Sequence, residues 1–358
     1  MLKGNKGEWS EIYTLFKILT DRNLHTGDAD QKQIKGGLLP IIKILRDQSN
    51  GTYYYEYDKD IVIIKGETEE FRIPITTFQK QTKLLLTKLQ SKTTSAFSIP
   101  EVEAFINSFN CKSLKAKSTI KSDIRVIVHD QRTGRNPELG FSIKSQLGGA
   151  ATLLNAGKTT NFIFKLPKLI SQTAIETINS IEGRSKIKDR LQALSSDKSK
   201  LIFVDTANKT FRNNLTLIDS AMPLILSQLV LEFYSTSSSK VTELVEKVKQ
   251  FNPLNYDVND DQPFYEYKIK RFLTDIALGM TPSKIWTGKL DATGGYLVVK
   301  EDGEVLCYHI YNRNEFEDYL FKNTKLETAS SSRNGFGEVY EEKGVLFFNL
   351  NLQIRFVK

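Results

Sequence analysis

The order of apolar and polar positions divides the chain into helical and strand-like segments. Helical spacing of apolar residues predicts helices over 8–19, 38–45, 79–89, 101–109 and 152–155. Runs rich in β-branched and aromatic residues predict a meander of short strands over 53–57, 61–64 and 71–75. Further along, helices are predicted over 168–181 and 187–194, a strand over 201–204, and a long helix from an Asp219 cap to Phe233.

Strand-like patterning returns after Gly295. Strands are predicted over 296–300 and 304–311, and a helix over 315–321. The last segment, 345–356, alternates apolar and polar residues without a break, which predicts one long strand. Its polar face would then carry a row of amides and a guanidinium: Asn349, Asn351, Gln353 and Arg355.

The segment 123–147 has the clearest hairpin pattern in the chain. Asp123 and Arg125 alternate with apolar residues on the first strand, and Ser142, Lys144 and Gln146 share the polar face of the second. A turn at 133–134 would place Asp123 directly across from Lys144, with Cα atoms about 5 Å apart. In the same register, Arg125 would lie across from Ser142.

Composition limits the chemistry that the chain can perform. It has 358 residues, with 50 Lys and Arg against 42 Asp and Glu, but 3 His and 2 Cys. Two distant cysteines form neither a disulfide framework nor a four-cysteine zinc site, and a histidine-based enzyme would need nearly every histidine. Chemistry should therefore depend on carboxylates, lysine or hydroxyls. The length suggests about two domains.

Several properties bear on location and partners. The first residues contain no apolar signal segment, and the most apolar stretch, 215–233, is interrupted by polar residues. We therefore expect a cytoplasmic protein without a membrane span. The net charge of +8 is equally consistent with a polyanionic partner such as nucleic acid and with surface lysines that favour solubility.

An acid and a lysine on one sheet face are typical of metal-assisted phosphodiester hydrolysis. The carboxylate would bind Mg²⁺, and the lysine would orient water or offset charge in the transition state. The structural alternative for Asp123 and Lys144 is a cross-strand salt bridge on a solvated face, worth under about 1 kcal/mol. The sequence leaves both interpretations open.

These residues resemble the PD-(D/E)xK nuclease family, in which an Asp on one strand precedes a (D/E)-x-K triplet on the next. Here the triplet is Ser142-Ile143-Lys144, so serine replaces the second acid, while Gln146 matches a variant of the motif. The resemblance implies that the first helix supplies the missing acid. Glu8 and Glu11 are candidates three residues apart, and Glu11 is the better one because it lies on the apolar stripe of that helix, although it is equally interpreted as a first-turn glutamate at the helix N-terminus. Glu138 shares the polar face of the hairpin but lies about 13 Å along the strand from position 142, which makes it a poor substitute.

Three blocks, at 3–13, 138–148 and 350–356, together resemble HpaII-type restriction endonucleases. The resemblance implies a Mg²⁺-dependent type II enzyme that cuts duplex DNA at CCGG, and a methyltransferase that protects the same site. The sequence leaves open whether the enzyme acts as a monomer or a homodimer. The expected fold is α/β: a PD-(D/E)xK restriction-endonuclease-like core, with a mixed sheet flanked by helices, over 1–210. A helical connector and a β-rich DNA-recognition region would follow over 211–358.

The predicted site has a catalytic part and a DNA-binding part. Asp123 and Glu11 are expected to bind Mg²⁺, Lys144 to orient the attacking water, and Ser142 and Gln146 to be their polar neighbours. DNA-binding residues are predicted in the 330–337 loop and on the last strand: Ser332, Arg333, Asn334, Asn351, Gln353 and Arg355. The rival functions are a DNA-binding protein without catalysis and a repair nuclease that recognises damage or structure.

Overall fold

The computed structural model describes residues 2–116, 122–131, 133–195, 201–257 and 259–358. It is a mixed α/β protein with two compact units. Unit 1 comprises Met1–Ala151, Leu290–Tyr319 and Lys358, and unit 2 comprises Thr152–Lys289 and Leu320–Val357. The units are therefore interleaved along the chain, in contrast to the single predicted boundary at residue 210. Within the described residues, no single helix is long and apolar enough to cross a membrane.

The described ranges contain the following elements. The helices are α1 (Lys6–Asp21), α2 (Ile75–Ser91), α3 (Pro100–Asn107), α4 (Gln172–Asn179), α5 (Lys186–Ser195), α6 (Lys209–Ile218), α7 (Met222–Ser235), α8 (Val241–Phe251), α9 (Phe264–Leu278), α10 (Arg313–Lys322) and α11 (Ser331–Asn334). The strands are β1 (Asn23–Gly27), β2 (Gln33–Gln48), β3 (Gly51–Asp58), β4 (Ile61–Lys65), β5 (Glu70–Pro74), β6 (Ile124–Val128), β7 (Glu138–Ser145), β8 (Thr152–Leu154), β9 (Asn161–Lys165), β10 (Ile202–Thr206), β11 (Gly295–Val299), β12 (Val305–His309), β13 (Thr324–Leu326), β14 (Val339–Glu342), β15 (Val345–Asn351) and β16 (Ile354–Phe356).

Unit 1 is built on a nine-stranded mixed sheet in the order β1-β12-β11-β7-β6-β2-β3-β4-β5. The long strand β2 also pairs with β1, so six of these strands close into a ring. Helix α1 packs its apolar side into the core of this unit, where Trp9, Ile12 and Phe16 are fully buried. A capping box starts the helix, because Asn5 and Glu8 satisfy each other's backbone N–H groups.

Two of the predicted helices are wrong. Residues 38–45 belong to β2, and residues 152–155 contain β8. In β2, the β-branched residues Ile41 and Ile44 pair with β6, and Pro40, which has no N–H to donate, accepts a 2.8 Å bond from the His129 N–H through its carbonyl. The remaining helices and the three-stranded meander are confirmed within a few residues, with α7 starting at Met222 after a turn that contains Asp219.

The β6–β7 hairpin forms with a register two residues away from the prediction. Ile124 pairs with Phe141 and Arg125 with Gly140, so Asp123 lies across from Ser142 rather than Lys144. The loop is closed by a bridge between Asp130 and Arg135, which fixes this register. Because side chains alternate with a period of two, a shift of two leaves each side chain on its predicted face. Asp123 and Lys144 therefore still share one face of the sheet.

Unit 2 contains two smaller sheets, β10-β9-β15-β14 and β13-β16-β8, packed with helices. The predicted long final strand is interrupted at residues 352–353, and its two parts, β15 and β16, belong to different sheets. The interruption is held by backbone bonds, since Leu352 donates to Thr160 at 3.0 Å and Gln353 accepts from Glu327 at 3.2 Å. The predicted continuous row of polar side chains is therefore broken.

The break leaves Asn351 inside unit 2. Its side chain is 1% exposed, and Nδ2 donates to the Gly157 carbonyl at 2.8 Å, to Thr160 Oγ1 at 3.1 Å and to Asn161 Oδ1 at 2.6 Å. The Asn351 amide therefore joins the end of β15 to the start of β9 and the residues just before it. The burial and the internal bonds of Asn351 argue against the prediction that it reads DNA.

Replacing Asn351 with Ala should destabilise the protein by about 2 kcal/mol, since buried acceptors would lose their donor. Thermal unfolding of the purified variants measures the effect. The matched control is Asn349→Ala on the same strand, where a half-buried amide accepts one bond from the Tyr340 hydroxyl at 3.1 Å. Equal small shifts in both variants would contradict the internal role of Asn351.

Candidate active site

Asp123 and Lys144 are held close together by the pairing of β6 with β7. Asp123 directly precedes β6, and its Oδ2 accepts a 2.6 Å hydrogen bond from the Ile143 N–H. Burial raises the pKa of Asp123, although this bond and the charge of Lys144 oppose the shift. Burial lowers the pKa of Lys144, and the charge of Asp123 opposes that change. The two groups are partly buried, unlike a salt bridge on a fully solvated sheet face.

Glu11 contributes a second carboxylate from α1. Burial and then the negative charge of Asp123 raise the pKa of Glu11 to about 7. Its Oε2 accepts a 3.1 Å hydrogen bond from the Ala116 N–H, which opposes the shift. The structure thus brings a helix carboxylate into the electrostatic field of the strand carboxylate, as the apolar stripe of the first helix predicted.

The other two candidate acids have different partners. Glu8 completes the capping box, with Oε2 2.7 Å from the Asn5 nitrogen, and Oε1 lies 2.6 Å from Lys115 Nζ. Glu138 pairs with Arg125 at 2.5 Å, and Arg125 also binds Asp47 through two bonds of 2.9 and 3.0 Å. Glu11 is therefore the acid whose surroundings best match a partner of Asp123.

Arg46 lies beside the acids and was not identified from the sequence. It is 1% exposed on β2 and donates to the carbonyls of Ser113 and Leu114 at 3.0 and 2.8 Å, and to Cys111 Sγ at 3.1 Å. These bonds fix the segment that leads to Ala116, the donor to Glu11. Its charge also opposes the rise in pKa of both acids. No motif in the sequence marks this arginine.

Tyr296 and Gln31 lie next to the polar residues of β7 and the residues that follow it. Its Nζ lies 4.9 Å from the centre of the Tyr296 ring, on the strand that pairs in parallel with β7. Ser142 pairs with Tyr296 in the same ladder. Gln146 donates from Nε2 to Gln31 Oε1 at 2.6 Å. Sequence patterning missed Tyr296 and Gln31, because only the tertiary fold brings β11 and the β1–β2 turn next to β7.

The donor set suits a hard divalent cation. Glu11 and Asp123 are partly buried carboxylates, and the charge of Asp123 raises the pKa of Glu11, so the pair would gain from a shared cation. Among the residues that the structure describes, no group of three or more His, Cys, Asp or Glu side chains could hold a metal. Glu11 and Asp123 would therefore share a cation with backbone oxygens, phosphate or water, which is the usual coordination of magnesium.

The predicted DNA-binding residues lie in unit 2. Ser332 and Arg333 are exposed on the short helix α11, whereas Asn334 is 8% exposed and donates to the Ser330 carbonyl at 3.0 Å. This bond and the burial of Asn334 argue against its predicted DNA contact and favour a local structural role. Gln353 is half-buried, and Arg355 lies 3.1 Å from Glu327 Oε1. Ser332 and Arg333 are the members of the set that most readily meet a ligand.

A family model described as HpaII restriction endonuclease matches residues 5–356. The chain belongs to the HpaII restriction endonuclease family. It is 48% identical over 357 residues to the type II restriction enzyme HpaII of Haemophilus parainfluenzae, a match that covers 99% of this chain and 98% of that protein. No solved structure matches the chain. The resemblance seen in the three sequence blocks is confirmed over nearly the whole length.

Glu11→Gln should change the pH dependence of stability in the absence of divalent metal. The folded pKa of about 7 lies above the ordinary 4.5, so Glu11 contributes stability below pH 4.5 that is lost as the pH rises through 7. The Gln variant does not titrate. Relative to the wild type it should therefore gain about 2 to 3 kcal/mol between pH 4.5 and pH 8.

Glu8→Gln is the matched control, since the pKa of Glu8 is lowered by Lys115 and the Asn5 N–H against the effect of burial. A lowered pKa contributes stability above pH 4.5 that is lost on acidification, so this variant should be less stable than the wild type at neutral pH. Thermal unfolding in EDTA across the pH range measures the stability of both variants and of the wild type. Parallel curves of stability against pH for Glu11→Gln and wild type would show that the pKa of Glu11 is not raised beside Asp123.

Proposed function

We propose that the protein is a Mg²⁺-dependent type II restriction endonuclease that cuts both strands of duplex DNA at a short palindromic site, CCGG. The single observation that carries the proposal is the juxtaposition of Glu11, Asp123 and Lys144, all shifted in pKa by burial, in a chain of a restriction endonuclease family. Perturbed titratable groups clustered in this way are typical of active sites.

The arrangement supports a PD-(D/E)xK-type core. A mixed sheet carries the acid at the start of β6 and the lysine on the adjacent strand β7, and α1 carries the second acid. Ser142 occupies the position of the family's second acid and lies across from Asp123. A serine there removes one negative charge, and we propose that Glu11 restores it from the helix.

Each side chain has a proposed role in hydrolysis. Asp123 and Glu11 would hold Mg²⁺, with Asp123 oriented by the Ile143 N–H and Glu11 by the Ala116 N–H. A bound Mg²⁺ polarises the phosphate and lowers the pKa of its water. Lys144, whose pKa is lowered by burial, would orient the attacking water and offset charge in the transition state. Ser142 and Gln146 would be polar neighbours of the reacting groups.

Unit 2 is proposed to supply much of the DNA recognition. Its sequence contains 24 Lys and Arg against 18 Asp and Glu, so it carries six of the eight excess positive charges. A basic surface attracts the phosphate backbone, and exposed polar side chains then read base edges. Ser332 and Arg333 are the proposed contacts, followed by Gln353 and Arg355.

The palindromic site suggests further partners. It presents the same bond on both strands, so two active sites of a homodimer could cut together or a monomer could cut twice. A methyltransferase that modifies the same site would protect host DNA as a functional partner.

A second candidate is a DNA-binding protein without catalysis. The observation that favours it is Ser142 at the position of the motif acid, together with the pairing of Glu138 to Arg125 instead of to the site. A repair nuclease is a third possibility, because it would use the same acids without reading a fixed sequence.

The function is tested on a plasmid incubated with Mg²⁺ and with EDTA. We expect discrete fragments that vanish with EDTA, and sequencing of the cut ends should give CCGG. Binding without cutting would support the inactive DNA-binding protein, whereas ends without a common sequence would support the repair nuclease.

The site is tested by Asp123→Ala and Lys144→Ala, each of which should lower the cleavage rate by at least about 100-fold while DNA binding persists. Glu11→Gln should lower it far more than Glu8→Gln, because only Glu11 lies in the field of Asp123. Single-turnover cleavage and fluorescence anisotropy separate chemistry from binding. Full activity in Asp123→Ala or Lys144→Ala would refute the assignment.

A further inference from the structure

A loop in unit 2, residues 281–289, combines an exposed aliphatic side chain with two lysines. Ile285 is 85% exposed, the largest exposed fraction among the large apolar side chains of the described ranges. Lys284 and Lys289 lie on either side of it in sequence, and both are exposed. Ser283 and Thr287 add exposed hydroxyl groups. None of these residues belongs to the site described above.

The backbone of this loop is fixed by a buried amide. Asn214 on α6 is 3% exposed, and its Nδ2 donates to the carbonyls of Thr281 and Lys284 at 3.0 and 2.8 Å. Its Oδ1 accepts from the Trp286 N–H at 3.1 Å. The Trp286 indole then donates to the Lys289 carbonyl at 2.9 Å. The loop is therefore ordered from within, while Ile285 at its centre faces solvent.

A single exposed apolar residue is ordinary on a protein surface and implies nothing by itself. Here, however, one buried asparagine uses both ends of its amide to set the loop conformation, and the presented side chains are an isoleucine and two cations. Lysine suits phosphate, and an aliphatic side chain suits the apolar faces of stacked bases. Duplex DNA presents phosphates and the apolar faces of base steps side by side.

We propose that the 281–289 loop is a further DNA contact, in which Lys284 and Lys289 bind backbone phosphates and Ile285 inserts against a base step. The inference rests on the proposed function, because it takes duplex DNA as the substrate. It adds an aliphatic wedge to the polar groups of α11 and the last strands. Partial unstacking by such a wedge bends the duplex and increases the surface that the protein can contact.

The test is binding of a fluorescent CCGG duplex, with Ca²⁺ in place of Mg²⁺, over a range of salt concentrations. The double variant Lys284→Ala/Lys289→Ala should weaken binding and reduce the slope of log affinity against log salt by about 2, one for each lost phosphate contact. Ile285→Ala should weaken binding about 10-fold and leave the slope unchanged, since it removes no charge. In a duplex containing 2-aminopurine, wild type should increase the fluorescence and Ile285→Ala should not.

Leu169→Ala is the matched control, because Leu169 is a 71% exposed side chain of the same unit that follows a lysine. It should bind DNA like the wild type. The inference would be overturned by equal effects at Leu169 and Ile285, or by an unchanged salt slope in the double variant. It would also be overturned if the loop variants lost self-association but kept their DNA affinity. Asn214→Ala should reproduce the Ile285→Ala defect, and the surface variants decide the question if that variant does not fold.

Plasmid cleavage by the wild type distinguishes this inference from the proposed function. A wild type that neither cuts nor binds the duplex would refute the proposed function. A wild type that cuts, together with loop variants that bind with wild-type affinity and salt slope, would refute the loop inference alone.

Discussion

The pairing of β6 with β7 is the constraint on which the candidate site depends. The Asp123 N–H donates to the Phe141 carbonyl at 2.8 Å, and the Asp123 carboxylate accepts from the Ile143 N–H at 2.6 Å. Backbone and side chain are thus tied to the same neighbouring strand. This double attachment sets the acid beside Lys144, and it holds only in the observed register. A slip of one residue would send every side chain of one strand to the opposite face.

Burial disfavours the charged forms of Glu11 and Asp123, so these acids need positive charge nearby. Arg46 and Lys115 supply positive charge that opposes the rise in pKa of Glu11 and Asp123. Arg46 also binds the 113–114 carbonyls and so supports the backbone that reaches Glu11. Arg46 therefore offsets the charge of the two acids and also orders the backbone next to Glu11. Under the proposed function, a divalent cation held by Glu11 and Asp123 would offset the remaining repulsion between them.

The candidate catalytic groups and most of the excess positive charge lie in different units. The acids and the lysine belong to unit 1, whereas most of the excess positive charge and the clamped 281–289 loop belong to unit 2. The chain passes between the units several times, so each unit is assembled from distant segments. Cutting and reading DNA require different physical environments: one needs desolvated acids, and the other needs exposed cations and hydrogen-bonding groups.

The sequence by itself determined the elements with strong periodicity, the shared polar face of Asp123 and Lys144, and the placement of Glu11 on an apolar stripe. Alternation has a period of two, so a register error of two residues leaves each side chain on its face but changes its cross-strand partner. Only the tertiary structure decided that 38–45 is a strand, since sheet partners overrode helical spacing. It also decided that Asn351 is internal and that Arg46 and Tyr296 surround the acid and the lysine. Those contacts join residues distant in the chain, and no local pattern encodes them.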